Sequence, residues 1–240
     1  MRHCLPLVAL AALVACKGDA KPAATTTTTT PAPPAAVTMS ADEHRKALVD
    51  ADPTLDKPAP DSFTVAMTTS AGDVDIVVHR AWSPRGADRF YWLTSHGFFN
   101  GARFFRVLPG FVAQFGLSGI PAVDKAWDKR AIPDDPAAKP NKRGTLVFAM
   151  GGPATRTTQL FINLADNAQL DKMGFSPLGE VRRGMDAVGK LYGEYGDGAP
   201  YGPGPDQNDI KRDGNRYLTA AYPKLDSIVK VVVTPLGAAH

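Results

Sequence analysis

The sequence predicts a mainly β domain, and three observations carry that prediction. Short runs of β-forming residues, each bounded by turn residues, recur between Phe63 and Thr234. Two of these runs, 104–108 and 111–115, flank Pro109-Gly110 as the arms of a hairpin flank its turn. Inside this stretch helix signals are few, the two main ones opened by Ser83-Pro84 and near Gly184. A chain of 240 residues is long enough to bury a full core around such strands.

In chain order, Ser40–Val49 reads as a short helix, with Ser40 as N-cap and Glu43 at the capping-box spacing. Asp52-Pro53 and Lys57-Pro58-Ala59-Pro60 break it, so the domain proper is expected to begin near Ser62. Phe63–Thr69 and Val74–His79 read as a strand pair joined through Ser70-Ala71-Gly72-Asp73. The next helix has Ser83 as N-cap and Pro84 at its first position, turns Phe90, Trp92 and Leu93 toward a core, and stops before Gly97. After the 104–115 hairpin, strands are expected over Thr145–Ala149, Leu160–Asn163 and Ser176–Val181. A second helix over Gly184–Leu191 and a last strand over Ile228–Thr234 complete the pattern. Tyr192–Pro223, which contains Gly-Asp-Gly-Ala-Pro-Tyr-Gly-Pro-Gly-Pro, reads as a long loop followed by a short helix packed on the strands; binding a partner is the alternative. Its glycines lack the spacing and the strand-to-helix setting of a phosphate loop.

The hairpin is the most informative segment. Arg106 and Gln114 are equidistant from its turn and therefore come close to opposite one another. An arginine with no neutralising partner among such apolar neighbours is unusual, because charge is rarely buried alone. The pattern by itself leaves a surface arginine on the polar face of the strand as the alternative.

Phe104-Phe105-Arg106-Val107-Leu108-Pro109-Gly110-Phe111-Val112-Ala113-Gln114 resembles the signature of the cyclophilin-type peptidyl-prolyl isomerases. Gly144-Thr145-Leu146-Val147-Phe148-Ala149-Met150-Gly151-Gly152-Pro153, Thr157-Thr158-Gln159-Leu160-Phe161-Ile162 and Leu170-Asp171 resemble later segments of the same family, in order and spacing. Phe175-Ser176-Pro177-Leu178-Gly179-Glu180-Val181 follows with about one extra residue, and Gly184-Met185-Asp186-Ala187-Val188 is similar to the start of the second helix. The likeness runs from about residue 62 to 233. It implies a closed eight-stranded antiparallel barrel capped by a helix at each end, with 192–223 departing in length.

The resemblance also implies a chemistry and a site. A prolyl isomerase needs a pocket for the proline ring and a donor that favours a pyramidal proline nitrogen, with no nucleophile, metal or cofactor. Arg106, Phe111, Gln114 and Phe161 match the catalytic positions: the arginine bonds the proline carbonyl and meets the nitrogen lone pair, and the glutamine positions the peptide. Val112, Ala149, Met150, Gln159, Leu170 and Phe175 match the substrate-binding walls, where plain core packing is the alternative for each apolar residue and for Val112 above all. Three positions depart from the commonest pattern. Met150 stands where an asparagine is frequent, Gln169 where an aromatic residue lines the pocket, and Phe175 takes the place of a histidine. The expected outcome is isomerase activity with an altered peptide preference and weak cyclosporin affinity.

The front of the chain speaks to location. Arg2 and His3 precede an apolar run over Leu5–Val14, too short to span a bilayer and suited to a signal peptide. It closes on Leu13-Val14-Ala15-Cys16, similar to a bacterial lipoprotein cleavage site with Cys16 as the lipidated residue; an ordinary secretory signal is the alternative. Lys17 favours the outer over the inner membrane. The expected division is a signal over 1–15, a lipid-anchored Thr/Pro-rich linker over 16–39, a helix and Pro-rich lead-in over 40–61, and the domain over 62–240. Threonine glycosylation is a lesser alternative for the linker. The two cysteines, Cys4 and Cys16, both fall in this leader, which leaves the domain without a disulfide or a thiolate nucleophile. A formal net charge of +3, spread along the chain, points to no nucleic-acid partner, and the histidines show no metal-ligand spacing. The reading is a monomeric, cofactor-free, periplasm-facing isomerase acting on proline-containing segments of unfolded or folding envelope proteins. A catalytically weak chaperone or proline-peptide binding module on the same barrel is the alternative.

Overall fold

The computed structural model describes residues 40–50 and 57–236. The expected signal, Cys16 and the Thr/Pro linker therefore lie outside the described residues. Ala41–Val49 form α1, opened by the expected capping box: Glu43 N–H donates to Ser40 Oγ at 3.3 Å, and Ser40 N–H donates to the Glu43 carboxylate at 2.8 Å. α1 is no detached lead-in. Leu48 is buried in the main core, Trp127 Nε1 donates to Leu48 O at 2.8 Å, and Arg130 Nη2 donates to Val49 O at 2.8 Å.

β1 (Ser62–Thr69) and β2 (Gly72–His79) pair antiparallel with Thr69 opposite Gly72, so the hairpin turn is Ser70-Ala71 alone. The period-two pattern is obeyed: Phe63, Val65 and Met67, and Val74, Ile76 and Val78, all face the core. A short 3-10 turn, Arg80–Trp82, leads into α2 (Pro84–Ser95). Phe90, Trp92 and Leu93 are buried as expected. At the C-terminal end, His96 stacks on Trp92 with ring centres 4.0 Å apart, and its Nδ1 lies 2.8 Å from Trp92 O.

The N-terminus of α2 departs from expectation. Ser83 caps nothing with its own side chain. Its Oγ donates to Asp135 Oδ2 at 2.7 Å, and Asp135 accepts the N–H groups of Arg85 and Gly86 at 3.1 and 2.9 Å. A carboxylate satisfies orphan helix donors and complements the helix dipole better than a hydroxyl does, so the distant aspartate takes the cap. Asp135 is itself paired with Arg156, whose side chain is only 4% exposed.

The remaining strands are β3 (Arg106–Leu108), β4 (Val112–Phe115), β5 (Thr145–Phe148), β6 (Leu160–Asn163), β7 (Pro177–Arg183) and β8 (Ile228–Pro235). Phe104 and Phe105 precede β3 instead of belonging to it. All eight strands form one antiparallel sheet in the order β3-β4-β6-β5-β7-β2-β1-β8. The sheet curls through 199° into a half-barrel, and this corrects the expectation of a closed one. β3 and β8 end the order without a ladder between them. The seam is spanned by a bridge from Arg103 to Ser227, with Phe104 N–H donating to Asp226 O at 3.0 Å and Ile228 N–H to Ala102 O at 2.8 Å.

Among the described residues, helices α3 (Pro121–Trp127), α4 (Ala168–Lys172), α5 (Met185–Val188), α6 (Gln207–Asp213) and α7 (Asn215–Ala221) complete the fold. The second capping helix, expected over 184–191, is reduced to the single turn of α5. Gly189 falls inside the expected span, where glycine costs about 1 kcal/mol relative to alanine. The segment after Tyr192 carries two helices where one was expected, α6 and α7. Their Ile210 and Leu218 pack with Phe105, Leu117 and Leu225 into a small core of their own.

Candidate functional site

The β3–β4 hairpin sets the site. Phe111 N–H donates to Leu108 O at 2.9 Å across Pro109-Gly110, and Gly110 takes φ 76°, the left-handed geometry that the third position of a type II turn demands. The register then places Arg106 directly opposite Gln114, as the sequence predicts. Arg106 Nη1 donates to Gln114 Oε1 at 3.2 Å. A guanidinium can only donate, so Gln114 presents its oxygen to it and keeps its NH₂ for Gln159 Oε1, 2.8 Å away. Gln159 passes the same polarity on to Gln207 Oε1 at 3.0 Å. An amide chain thus runs from the arginine across β4 and the residue before β6 to the first residue of α6.

Beside this polar line lies an apolar one. Val112, Val147, Phe161 and Leu170 form a separate buried cluster, with Phe111, Ala149 and Phe175 packed against it. All but Val147, which is buried behind them, line a cleft of about 240 Å³ that also reaches Arg106, Gln114 and Met150. Phe161 and Phe175 meet edge-on with ring centres 5.7 Å apart, and the Arg106 guanidinium carbon sits 5.9 Å from the Phe111 ring centre. The volume suits a small ring.

A buried network holds the two sides of this cleft. Asn167 Nδ2 donates to Phe111 O at 2.9 Å and to Asn163 Oδ1 at 2.7 Å. Asn163 Nδ2 reaches Asn141 Oδ1 at 3.1 Å, and Asn141 Nδ2 donates both to Asp171 Oδ1 at 2.7 Å and to Phe175 O at 3.0 Å. The Leu170-Asp171 pair therefore has a divided role: the leucine faces the cleft while the aspartate fixes the frame behind Phe175.

The structure brings Arg106, Phe111, Val112, Gln114, Ala149, Met150, Phe161, Leu170 and Phe175 around one cleft. Gln159 lies on its flank, in an adjoining recess that shares Gln114, Ala149 and Met150. Gln169 is exposed and its amide turns to Asn167 Oδ1 at 3.4 Å, so it lines no wall. Met173, 61% exposed, borders the cleft instead. Sequence reasoning missed it, since a methionine just past a short helix carries no distinguishing signal.

Asp197 was missed as well, although a signal for it existed. Arg106 is not unneutralised: its Nε and Nη2 donate to Asp197 Oδ1 and Oδ2 at 2.7 and 2.9 Å. The hydrogen bond from Arg106 holds the Asp197 carboxyl below the usual carboxylate range against the opposing effect of burial. A half-buried arginine demands an anion, and the glycine-rich segment contains this one. Among the described residues, no group of three or more His, Cys, Asp or Glu side chains gathers as a metal site requires.

Residues 64–205 match the family model described as cyclophilin type peptidyl-prolyl cis-trans isomerase/CLD. The peptidyl-prolyl cis-trans isomerase A of Dickeya dadantii is 33% identical over 135 residues, which cover 54% of this chain and 71% of that protein. A peptidyl-prolyl cis-trans isomerase of Acinetobacter baylyi is 33% identical over 132 residues, covering 53% and 70% respectively. Among solved structures, a Cryptosporidium parvum cyclophilin type isomerase superposes with a TM-score of 0.53 at 18% identity, over 73% of this chain and 99% of that one. A cyclophilin from Hirschia baltica gives a TM-score of 0.51 at 15% identity, over 82% and 81%. At such identities the structural likeness speaks to the fold alone.

Proposed function

The chain belongs to the cyclophilin-type peptidyl-prolyl cis-trans isomerases and is an isomerase of that type; we propose that it acts on Xaa-Pro bonds of unfolded or folding proteins in a bacterial envelope. The observation that carries the mechanism is the juxtaposition of Arg106 with an apolar cleft of ring size. Amide resonance imposes a rotation barrier of roughly 18–20 kcal/mol, and Xaa-Pro bonds exchange unaided in roughly tens to hundreds of seconds. Val112, Phe161 and Leu170, with Phe111 and Phe175 at the rim, grip the proline ring while the preceding carbonyl swings. Arg106 donates toward the proline carbonyl and the nitrogen lone pair as resonance is lost, so the twisted amide is favoured over either planar form. Gln114 and Gln159 hold the peptide backbone beside it, and Ala149 and Met150 form the floor where the preceding residue lies. No bond to the protein forms or breaks.

An assay of proline isomerisation in a short peptide, using the full chain, tests this. Arg106→Ala is expected to lose most of the acceleration. Equal rates for parent and variant would leave the second reading, a catalytically weak chaperone or proline-peptide binding module; the specific observation in its favour is that Gln169 faces solvent where an aromatic wall is frequent. Cellular location is a separate part of the proposal, resting on the Leu13-Val14-Ala15-Cys16 motif and the Thr/Pro run after it. Cys16 would carry the lipid and face the chain into the periplasm, the outer membrane being the favoured host. Labelled fatty acid should enter the parent and not Cys16→Ser, and outer-membrane fractions should contain the parent only.

A further inference from the structure

The segment between β7 and β8 is the part of the molecule that the cleft itself does not account for. Asp197 lies within it, and a closed ring of contacts around its glycines sets the position of that residue. Gly204 N–H donates to Asp197 O at 2.7 Å, Gly198 pairs with Gly204 as a bridge, and Gly198 N–H donates to Asp197 Oδ1 at 2.9 Å. A Cβ on Gly202 or on Gly204 would run into the Asp197 carbonyl oxygen, which is why this turn is glycine-rich. The ring is tied down in turn: Tyr222 Oη, just past the end of α7, donates to Pro203 O at 3.1 Å, and α7 packs through Leu218 into the small core with Phe105. Phe105 is the neighbour of Arg106 in the chain. The path from Arg106 through Asp197, the glycine ring, α7 and Phe105 returns to where it started.

From this closed path we infer that Asp197 is a positioning residue for the isomerase: it clamps one edge of the Arg106 fork so that the Nη1 edge faces Gln114 and the cleft. The two bonds from Nε and Nη2 go to a carboxylate outside the lining of the cleft, and the bond from Nη1 to Gln114 leaves two of the five N–H donors unbonded among the described residues. A free arginine side chain samples many rotamers, and holding it in one conformer removes an ordering cost that substrate would otherwise meet at each turnover. The pair is partly sheltered, with side chains 23% and 27% exposed, and bidentate, which fixes the plane of the guanidinium as well as its position. The inference rests on the isomerase reading above and deepens it.

The test compares Asp197→Ala, Asp197→Glu and Arg106→Ala with the parent chain, with Asp209→Ala as control, since Asp209 belongs to the same segment and pairs with Arg212. Asp197→Ala should lower kcat about tenfold with KM within about twofold, while its thermal midpoint matches that of the control. Asp197→Glu, whose carboxylate still reaches the fork, should recover part of the loss. Independently of turnover, the Arg106 Nε–H resonance should be sharp and exchange-protected in the parent and broadened or lost in Asp197→Ala. A kcat for Asp197→Ala at or above that of a parent that outruns Arg106→Ala overturns the positioning role alone, as does an unchanged Nε–H resonance. A parent no faster than Arg106→Ala overturns the isomerase reading, a result the Asp197 variants cannot mimic.

Discussion

Two arginine–aspartate pairs of the same chemistry do opposite work in this molecule. Arg156 and Asp135 are almost wholly buried, with side chains 4% and 1% exposed, and they fasten the start of α2 to the segment ahead of β5. Burial alone would raise the Asp135 carboxyl. The hydrogen bonds from Ser83, Gly86 and Arg85, with the charge of Arg156, reverse that and hold it below the usual range. All its acceptor capacity is spent inward. Arg106 and Asp197 stand at the rim of the cleft instead, and the guanidinium keeps one edge open. A carboxylate occupied wholly inside the fold can only stabilise; a guanidinium bonded along one side can also present a charge to a substrate.

The largest effect that would break this contrast lies at the buried pair. Asp135→Ala should lower unfolding stability by about 3–5 kcal/mol, because the α2 donors lose their acceptor and Arg156 keeps only the longer ion pair to Asp134, at 3.4 Å. Urea denaturation reads this, and the activity of the fraction that remains folded should match the parent. At the rim, Arg106→Ala should cut kcat/KM by about a hundredfold or more while the denaturation midpoint moves little, since the partly exposed Asp197 regains water. A result in which both variants lose stability alike would erase the distinction.

A third aspartate sharpens it, because it is buried with no cation. Asp124 on α3 accepts the Ser118 N–H at 2.7 Å through Oδ1, while its Oδ2 has no partner among the described residues. Burial, with the nearby charge of Asp128, pushes its carboxyl up to about 6 from 3.8, against the hydrogen bonds from Ser118 and Gly119. A folded-state value above the unfolded one means that the contribution to stability is complete below about pH 3.8 and is lost as pH rises through about 6. The loss is on the order of 3 kcal/mol. Asp124→Asn should remove this slope, so the stability gap between variant and parent shifts in favour of the variant between pH 4 and 7; parallel denaturation curves at several pH values check it. The smallest effect is expected in catalysis. A guanidinium keeps its charge across neutral pH, and Asp197, held below its ordinary range, stays ionised there, so kcat/KM should be flat from about pH 6 to 8. A bell-shaped profile would point to a titrating group that neither pair supplies.

The elements legible in the sequence were those written in local pattern. Runs of β-forming residues between turn residues gave β1, β2 and β8 nearly to the residue, the Pro109-Gly110 turn gave the register of Arg106 against Gln114, and Ser40 with Glu43 gave the start of α1. What escaped was set by contacts between segments distant in the chain. Asp135 displaces Ser83 as the cap of α2 from 52 residues away, and Asp197 meets Arg106 across 91. Neither separation leaves a periodicity. The open sheet escaped for a similar reason, because how far eight strands curl together is not written in any strand taken singly. At the site, resemblance located the cleft residues, but it could not show that Gln169 turns outward and that Met173 takes the margin.

The seam between β3 and β8 has a kinetic consequence. β3 is three residues long and has one laddered neighbour, β4, whereas β1 is paired along its length on both sides. Local opening needs the fewest hydrogen bonds where the sheet ends, so the amides of Phe104 and Ile228, which span the seam, should exchange with deuterium well before those of Val65 or Ile76. The strand carrying Arg106 therefore belongs to the least cooperative part of the sheet. Its order is borrowed from outside the ladder, through Phe105 and the helices that pack on it.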